Sequence, residues 1–267
     1  MQRSNGPARA GLLFIVITLA VVSLICCGLL AFGVTIPEWF VIVGRWIPAI
    51  VAIIVLRASR LKGGLVTWFG LRPGGWRRML GGSALTVIVL LAAYAASAGV
   101  VVALGLAQLQ PWSVLGQAAL LVVPMILVFS LSTIGEEVAW RGFLQHAFGG
   151  WGFWRASSVI AAAWVVFHIP LHGAMAIQGT LPVNVAITST LGLFFLGLLL
   201  SAAVVRFRSV WPAVFAHALP MSTLNLFADA STLPVSTQWV VAGISAAAVL
   251  IAAALLAPRG SQRSLPR

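Results

Sequence analysis

Residues 121–148 read LVVPMILVFSLSTIGEEVAWRGFLQHAF, an apolar run that ends on two adjacent glutamates and an arginine. Extended upstream to Ser113, the run to Ile134 is long enough to cross a hydrocarbon core, which takes about 20 apolar residues. Only four of the 267 residues are acidic, and two of them are Glu136 and Glu137. A carboxylate costs several kcal/mol to bury without a partner, and an ionisable side chain in a membrane span is by default a candidate for function.

Working outward, the same kind of apolar run recurs along the whole chain. It is 61% hydrophobic and 7% charged, with mean hydropathy +1.08. The surface of a soluble domain needs more polar groups than this. Short alternating segments, the mark of a transmembrane β-barrel, are absent. The fold class is therefore all-α, a polytopic membrane helix bundle. The net charge of +12 would point to nucleic acid in a soluble protein. Here the basic residues sit in loops between apolar runs, so membrane topology and anionic lipid headgroups account for them and nucleic-acid binding is not expected.

At about 20 residues per span, eight helices are expected near 10–33, 39–56, 80–106, 113–134, 156–175, 183–205, 210–228 and 236–257. The fourth should end at Gly135, with a helical continuation from Glu136 to Ala147. Arg57, Arg60, Lys62, Arg72, Arg77 and Arg78 occupy the loop 57–78, Arg155, Arg206 and Arg208 the next basic loops, and Arg259, Arg263 and Arg267 the tail. The alternate loops carry only Glu38 and Asp229. All basic segments, with Arg3 and Arg9, fall on one side, which the positive-inside rule makes cytoplasmic along with both termini. The apolar stretch after MQRSNGPARAG is too long for a cleaved signal peptide and is expected to stay as the first helix. Residues 1–267 are expected to form a single membrane domain.

The 57–78 loop mixes its basic residues with Trp68, Phe69 and Trp76, as an interfacial segment does, and a lipid-anchoring loop is the preferred reading over a substrate-recognition element. Arg45, inside the second span, could snorkel to the headgroups or pair with an acid. Cys26 and Cys27 are helical neighbours pointing about 100° apart, which argues against a disulfide between them.

Three clusters of polar residues stand out in the second half: Glu136, Glu137 and Arg141; Trp164, His168 and His172; and His217 in VFAHALPMSTLN. Glu137 and Arg141 are at i and i+4, with Glu on the N-terminal side, the favourable order for an ion pair. Glu136 is turned about 100° away and is free to project into a cavity without a committed partner. Desolvated and near histidines, it suits a general base acting on water. A purely structural Glu–Arg pair is the plainer alternative. His146 reads as an interfacial packing residue. His168 and His172 could also form a metal pair. Pro170 disturbs that turn and no cysteine or further carboxylate completes a ligand set, so a divalent metal such as zinc is left open rather than required.

These residues resemble the motifs of the CAAX prenyl endopeptidases and their bacterial relatives, the bacteriocin-processing and bacteriocin-immunity intramembrane proteases (the CPBP or Abi family). The first motif, Glu-Glu-x-x-x-Arg, is intact as Glu136, Glu137 and Arg141. The second, Phe-x-x-x-His, is matched by Trp164 and His168, with Trp in place of Phe. The third, His-x-x-x-Asn or Asp, is partial: His217 fits, position 221 is Met221, and the nearest Asn is Asn225. The resemblance covers about residues 113–228, the motif-bearing catalytic core, and implies an eight-helix bundle. It implies an intramembrane endopeptidase in which Glu136 activates water, His168 positions or protonates, and His217 stabilises the oxyanion. Asn225 could stand in for the missing Asn if the helix carries it round, since i+8 returns to about 80° from His217.

The expectation is thus an intramembrane glutamic-type endopeptidase acting on a membrane-associated peptide or protein, in a bacterial plasma membrane. A catalytically weak homologue serving as scaffold, immunity or regulatory protein is the main rival, and Met221 speaks for it. A transporter would show polar residues at mid-bilayer on several helices, and the expected spans of the first half hold only Arg45 as a charged residue.

Overall fold

The computed structural model describes residues 6–228, 230 and 232–258, with the backbone alone at Glu38. Arg3, Asp229, Arg259, Arg263, Arg267 and the Glu38 side chain, all used above to assign sidedness, lie outside the described residues.

The described residues form an all-α bundle. In chain order its helices are α1 (Gly6–Ala31), α2 (Glu38–Val43), α3 (Ile47–Ala58), α4 (Leu65–Trp68), α5 (Trp76–Ala103), α6 (Trp112–Glu137), α7 (Gln145–Ala147), α8 (Phe153–Ile177), α9 (Val183–Phe207), α10 (Trp211–His217) and α11 (Val235–Leu256). A 3-10 turn, Gly44–Trp46, joins α2 to α3, so the second span is one rod with a tightened middle. Seven continuous helical stretches among the described residues are long and apolar enough to cross a membrane.

The expected span 210–228 needs a correction. It is not one helix: α10 stops at His217, residues 218–222 leave helical conformation, and a 3-10 turn, Thr223–Leu226, follows. Pro220 supplies the physical reason, because it has no N–H for a helical ladder and its ring clashes with the preceding turn. The segment still runs from one end of the bundle to the other. Val210 N–H donates to Gly70 O at 3.0 Å in the basic loop, while Gln110 N–H donates to Leu226 O at 2.9 Å at the far end. Seven continuous helices and this broken one give the expected total of about eight crossings.

The continuation past Gly135 is helical, as expected, but not α throughout. After Glu137 the backbone widens into a π-helical turn over Val138–Leu144 before α7. Such turns are rare and cluster at functional sites. Here the turn is buried at every residue and gripped by the basic loop. A Cβ on Gly142 would lie 2.6 Å from Phe69 O, so only glycine lets the two backbones touch. The loop 57–78 is therefore more than a surface anchor. Phe69 is buried, Trp68 packs on Phe143 and His146, and Leu71 O accepts from Trp211 Nε1 at 3.0 Å.

The core is built from α1, α3, the π turn, α8, α9 and α10, with the inner faces of α5 and α11 packed against them. By contrast α6 shows the outside a row of large apolar side chains, including Leu120, Leu127 and Leu131. That polarity suits a helix facing lipid at one end and carrying buried acids at the other.

Candidate active site

Three elements meet at the inner end of α6. The first is the Gly44–Trp46 turn. A Cβ on Gly135 would sit 2.6 Å from Arg45 O and 2.9 Å from Trp46 Cα, so glycine at this position lets the turn press against α6. The second is α10, fastened to α6 where Thr133 Oγ1 donates to Val214 O at 3.0 Å. The third is α8, whose Trp164 is buried at the centre. Together they bring residues from four distant parts of the chain around Glu136 and Glu137.

Glu137 and Arg141 pair as the spacing predicts, Arg141 Nη1 donating to Glu137 Oε1 at 3.0 Å with both side chains fully buried. The same oxygen also accepts from His217 Nδ1 at 2.8 Å. Arg141 lays its guanidinium 4.0 Å from the centre of the Trp164 ring, a desolvated cation–π contact. Glu137 is thus an anchor that fixes both Arg141 and His217.

Glu136 does face a cavity, but it is not uncommitted. Trp164 Nε1 donates to its Oε2 at 2.5 Å, Arg45 Nε lies 3.5 Å from its Oε1, and His168 Nε2 is 4.0 Å from Oε2. Arg45 takes the second of the roles the sequence left open for it, pairing with an acid, and its Nη1 donates to Ser132 Oγ at 3.2 Å. Trp164, where the motif has Phe, contributes something a phenyl ring lacks: an N–H aimed at the carboxylate. The need of a buried indole for an acceptor was the signal in the sequence for that bond.

The cavity measures about 170 Å³ and is lined by Arg45, Glu136, His168, His172, Ser189 and His217, with Val22, Phe40, Val41, Ile47, Phe167, Leu171 and Leu193 supplying apolar walls. The tautomers of its histidines follow from their partners. His168 Nδ1 is 2.9 Å from Trp164 O, and a carbonyl only accepts. His217 Nδ1 faces a carboxylate. His172 Nδ1 is 2.7 Å from Thr190 Oγ1, whose own proton goes to Ala186 O. Each Nδ1 therefore carries hydrogen, and each neutral ring keeps its lone pair on Nε2.

Glu136, His168 and His217 come together, and Glu137, Arg141 and Trp164 support them. Asn225 does not join them. Its Oδ1 accepts from Ser222 N–H at 2.7 Å, capping the exposed 3-10 turn, and it is not among the residues lining the cavity. The helical reckoning that carried it toward His217 fails because the helix ends at His217. His146 bonds Gly142 O at 3.0 Å and packs on Trp68, a structural place. Among the described residues no three His, Cys, Asp or Glu side chains form a group able to hold a metal ion; His168 and His172, one turn apart on α8, remain a pair.

This arrangement of acid, histidines and arginine meets an independent finding. Residues 117–220 match the family model of type II CAAX prenyl endopeptidase Rce1-like proteins. The match agrees with the resemblance carried by the motifs. The Rce1-like family is a protease family, and the matched stretch holds Glu136, Glu137, Arg141, Trp164, His168, His172 and His217. It ends before Met221 and Asn225, and Arg45 precedes it. No curated protein matches the chain.

Proposed function

We propose that the protein is an intramembrane endopeptidase of glutamic type, in which Glu136 activates a water molecule for attack on a peptide bond. The observation that carries this reading is the convergence of Glu136, His168 and His217 on one cavity, with the Glu136 carboxylate 4.0 Å from the lone-pair nitrogen of His168. A water between these two acceptors donates one hydrogen bond to each. Its oxygen lone pair is then turned away from both, toward a bound carbonyl carbon. Trp164 and Arg45 hold the carboxylate in place, and the Glu137–Arg141–His217 cluster holds the surrounding helices.

The apolar walls formed by Phe40, Val41, Leu171 and Leu193 support a substrate with apolar side chains beside the scissile bond. A membrane-associated peptide or protein tail has that character, prenylated or not. We place the chain in a bacterial plasma membrane with both termini and the basic loops cytoplasmic, where Arg57, Arg60, Arg77 and Arg78 would meet anionic lipid headgroups. The test is reconstitution of the purified chain in proteoliposomes with a library of amphipathic peptides, read by mass spectrometry. Site-specific cleavage supports the reading, and intact peptides throughout reject it. A second reading, a catalytically weak scaffold, immunity or regulatory homologue, draws on Met221 and on Asn225 lying away from the cavity, and intact peptides would favour it.

A further inference from the structure

Peptide hydrolysis develops a negative charge on the carbonyl oxygen, and an enzyme places hydrogen-bond donors where that charge appears. The side chains around this cavity can be sorted by whether they have a proton to give. His168, His172 and His217 spend their single neutral-state proton at Nδ1, on Trp164 O, Thr190 Oγ1 and Glu137 Oε1. Each of these rings can donate at Nε2 only after gaining a second proton. Ser189 Oγ donates to Val185 O at 2.6 Å. Trp164 Nε1 is committed to Glu136. Arg45 is different. It is cationic at any working pH, has five N–H donors, and among the described residues commits them to Ser132 and Glu136 alone. Its side chain is 28% exposed while Glu136 beside it is 1% exposed, and it lines the cavity.

We infer that Arg45 is the oxyanion donor of this site, a catalytic residue outside the motif-bearing stretch. The inference rests on the protease reading above. In the step, water oxygen bonds to the carbonyl carbon, one water proton passes to Glu136, and the carbonyl π pair becomes the oxyanion that Arg45 N–H groups bind. Collapse re-forms the carbonyl and breaks the C–N bond, and the leaving nitrogen takes the proton back from Glu136, giving a carboxylic acid and an amine. Arg45 is well held for this: Ser132 grips Nη1, and the backbone turn that carries it is seated on Gly135.

The test uses full-length protein in proteoliposomes, a peptide that the wild type cleaves, and a phosphonate analogue of that peptide. Arg45→Gln should lower kcat by about 100- to 1,000-fold at the pH plateau, with KM within about threefold. Phosphonate affinity should fall in parallel with kcat/KM. Arg45→Lys, which keeps the charge and loses the fork, should recover part of the loss, and a folded state is verified for both by gel filtration and thermal unfolding. If Arg45 merely balances Glu136, Arg45→Gln shifts the pH profile and leaves the plateau kcat and phosphonate affinity near wild type, which overturns the inference. An inactive Glu136→Gln beside an active Arg45→Gln sinks this assignment alone. An active Glu136→Gln sinks the parent reading.

Discussion

Arg141→Met isolates the electrostatic anchor of the bundle. Arg141 is fully buried and among the described residues makes one hydrogen bond, to Glu137 Oε1 at 3.0 Å, while its planar head lies on Trp164 at 4.0 Å. Methionine fills much of the same space, so the cavity left behind is small. What is lost is the counter-charge of a carboxylate that is itself 0% exposed, and removing one partner of such a pair costs about 3–5 kcal/mol. The lost cation–π contact adds to this, whereas the hydrogen bond that Glu137 keeps from His217 at 2.8 Å offsets part of it. A net loss of about 3 kcal/mol is expected. Because most of that is the cost of a stranded charge, Glu137→Gln combined with Arg141→Met should be less destabilised than the sum of the single variants by about 1–3 kcal/mol. Reversible unfolding in mixed micelles, titrated with a denaturing detergent, measures all three. A loss under about 1 kcal/mol for Arg141→Met, or strict additivity in the double variant, would refute the reasoning.

Trp164→Phe keeps a ring under Arg141 and removes the N–H that Glu136 accepts; a hydrogen bond to a charged group is worth about 1.5–3 kcal/mol, so unfolding in mixed micelles should show a loss of about that size, and an unchanged unfolding midpoint would end the anchoring role of the indole. Gly135→Ala places a methyl 2.6 Å from Arg45 O, so it should cost about 1–3 kcal/mol of stability and lower activity as the Arg45 turn is pushed off α6. Wild-type stability and kcat for that variant would mean the close approach is dispensable. Asn225→Ala removes an exposed cap, which should cost about 1 kcal/mol at most and leave kcat within about twofold; a tenfold loss of kcat would return Asn225 to the site.

The sequence made the two glutamates separable because a helix turns about 100° per residue, and the Glu137–Arg141 pair follows that geometry. What it did not disclose was the company of Glu136. The Trp164, Arg45 and His168 contacts depend on three helices meeting, which no local spacing encodes. Two clues were present all the same: an arginine inside an apolar span needs an acid, and a buried indole needs an acceptor. Hydropathy read 210–228 as one span because its composition is apolar, and it cannot register that Pro220 stops the ladder. The π turn after Glu137 had no periodic signal, since it depends on the loop 57–78 closing over Gly142. For the same reason that loop, which composition describes as an interfacial anchor, is also a clamp on the helix that carries the acids.

Glu136→Gln is the most direct measurement. It keeps the shape of the side chain and an oxygen for Trp164 Nε1, and removes the basic carboxylate. With the variant reconstituted beside the wild type, and its fold verified by unfolding and gel filtration, cleavage of the same peptide should fall to background. Cleavage by folded Glu136→Gln at a rate near wild type would contradict the assignment of Glu136 as the base.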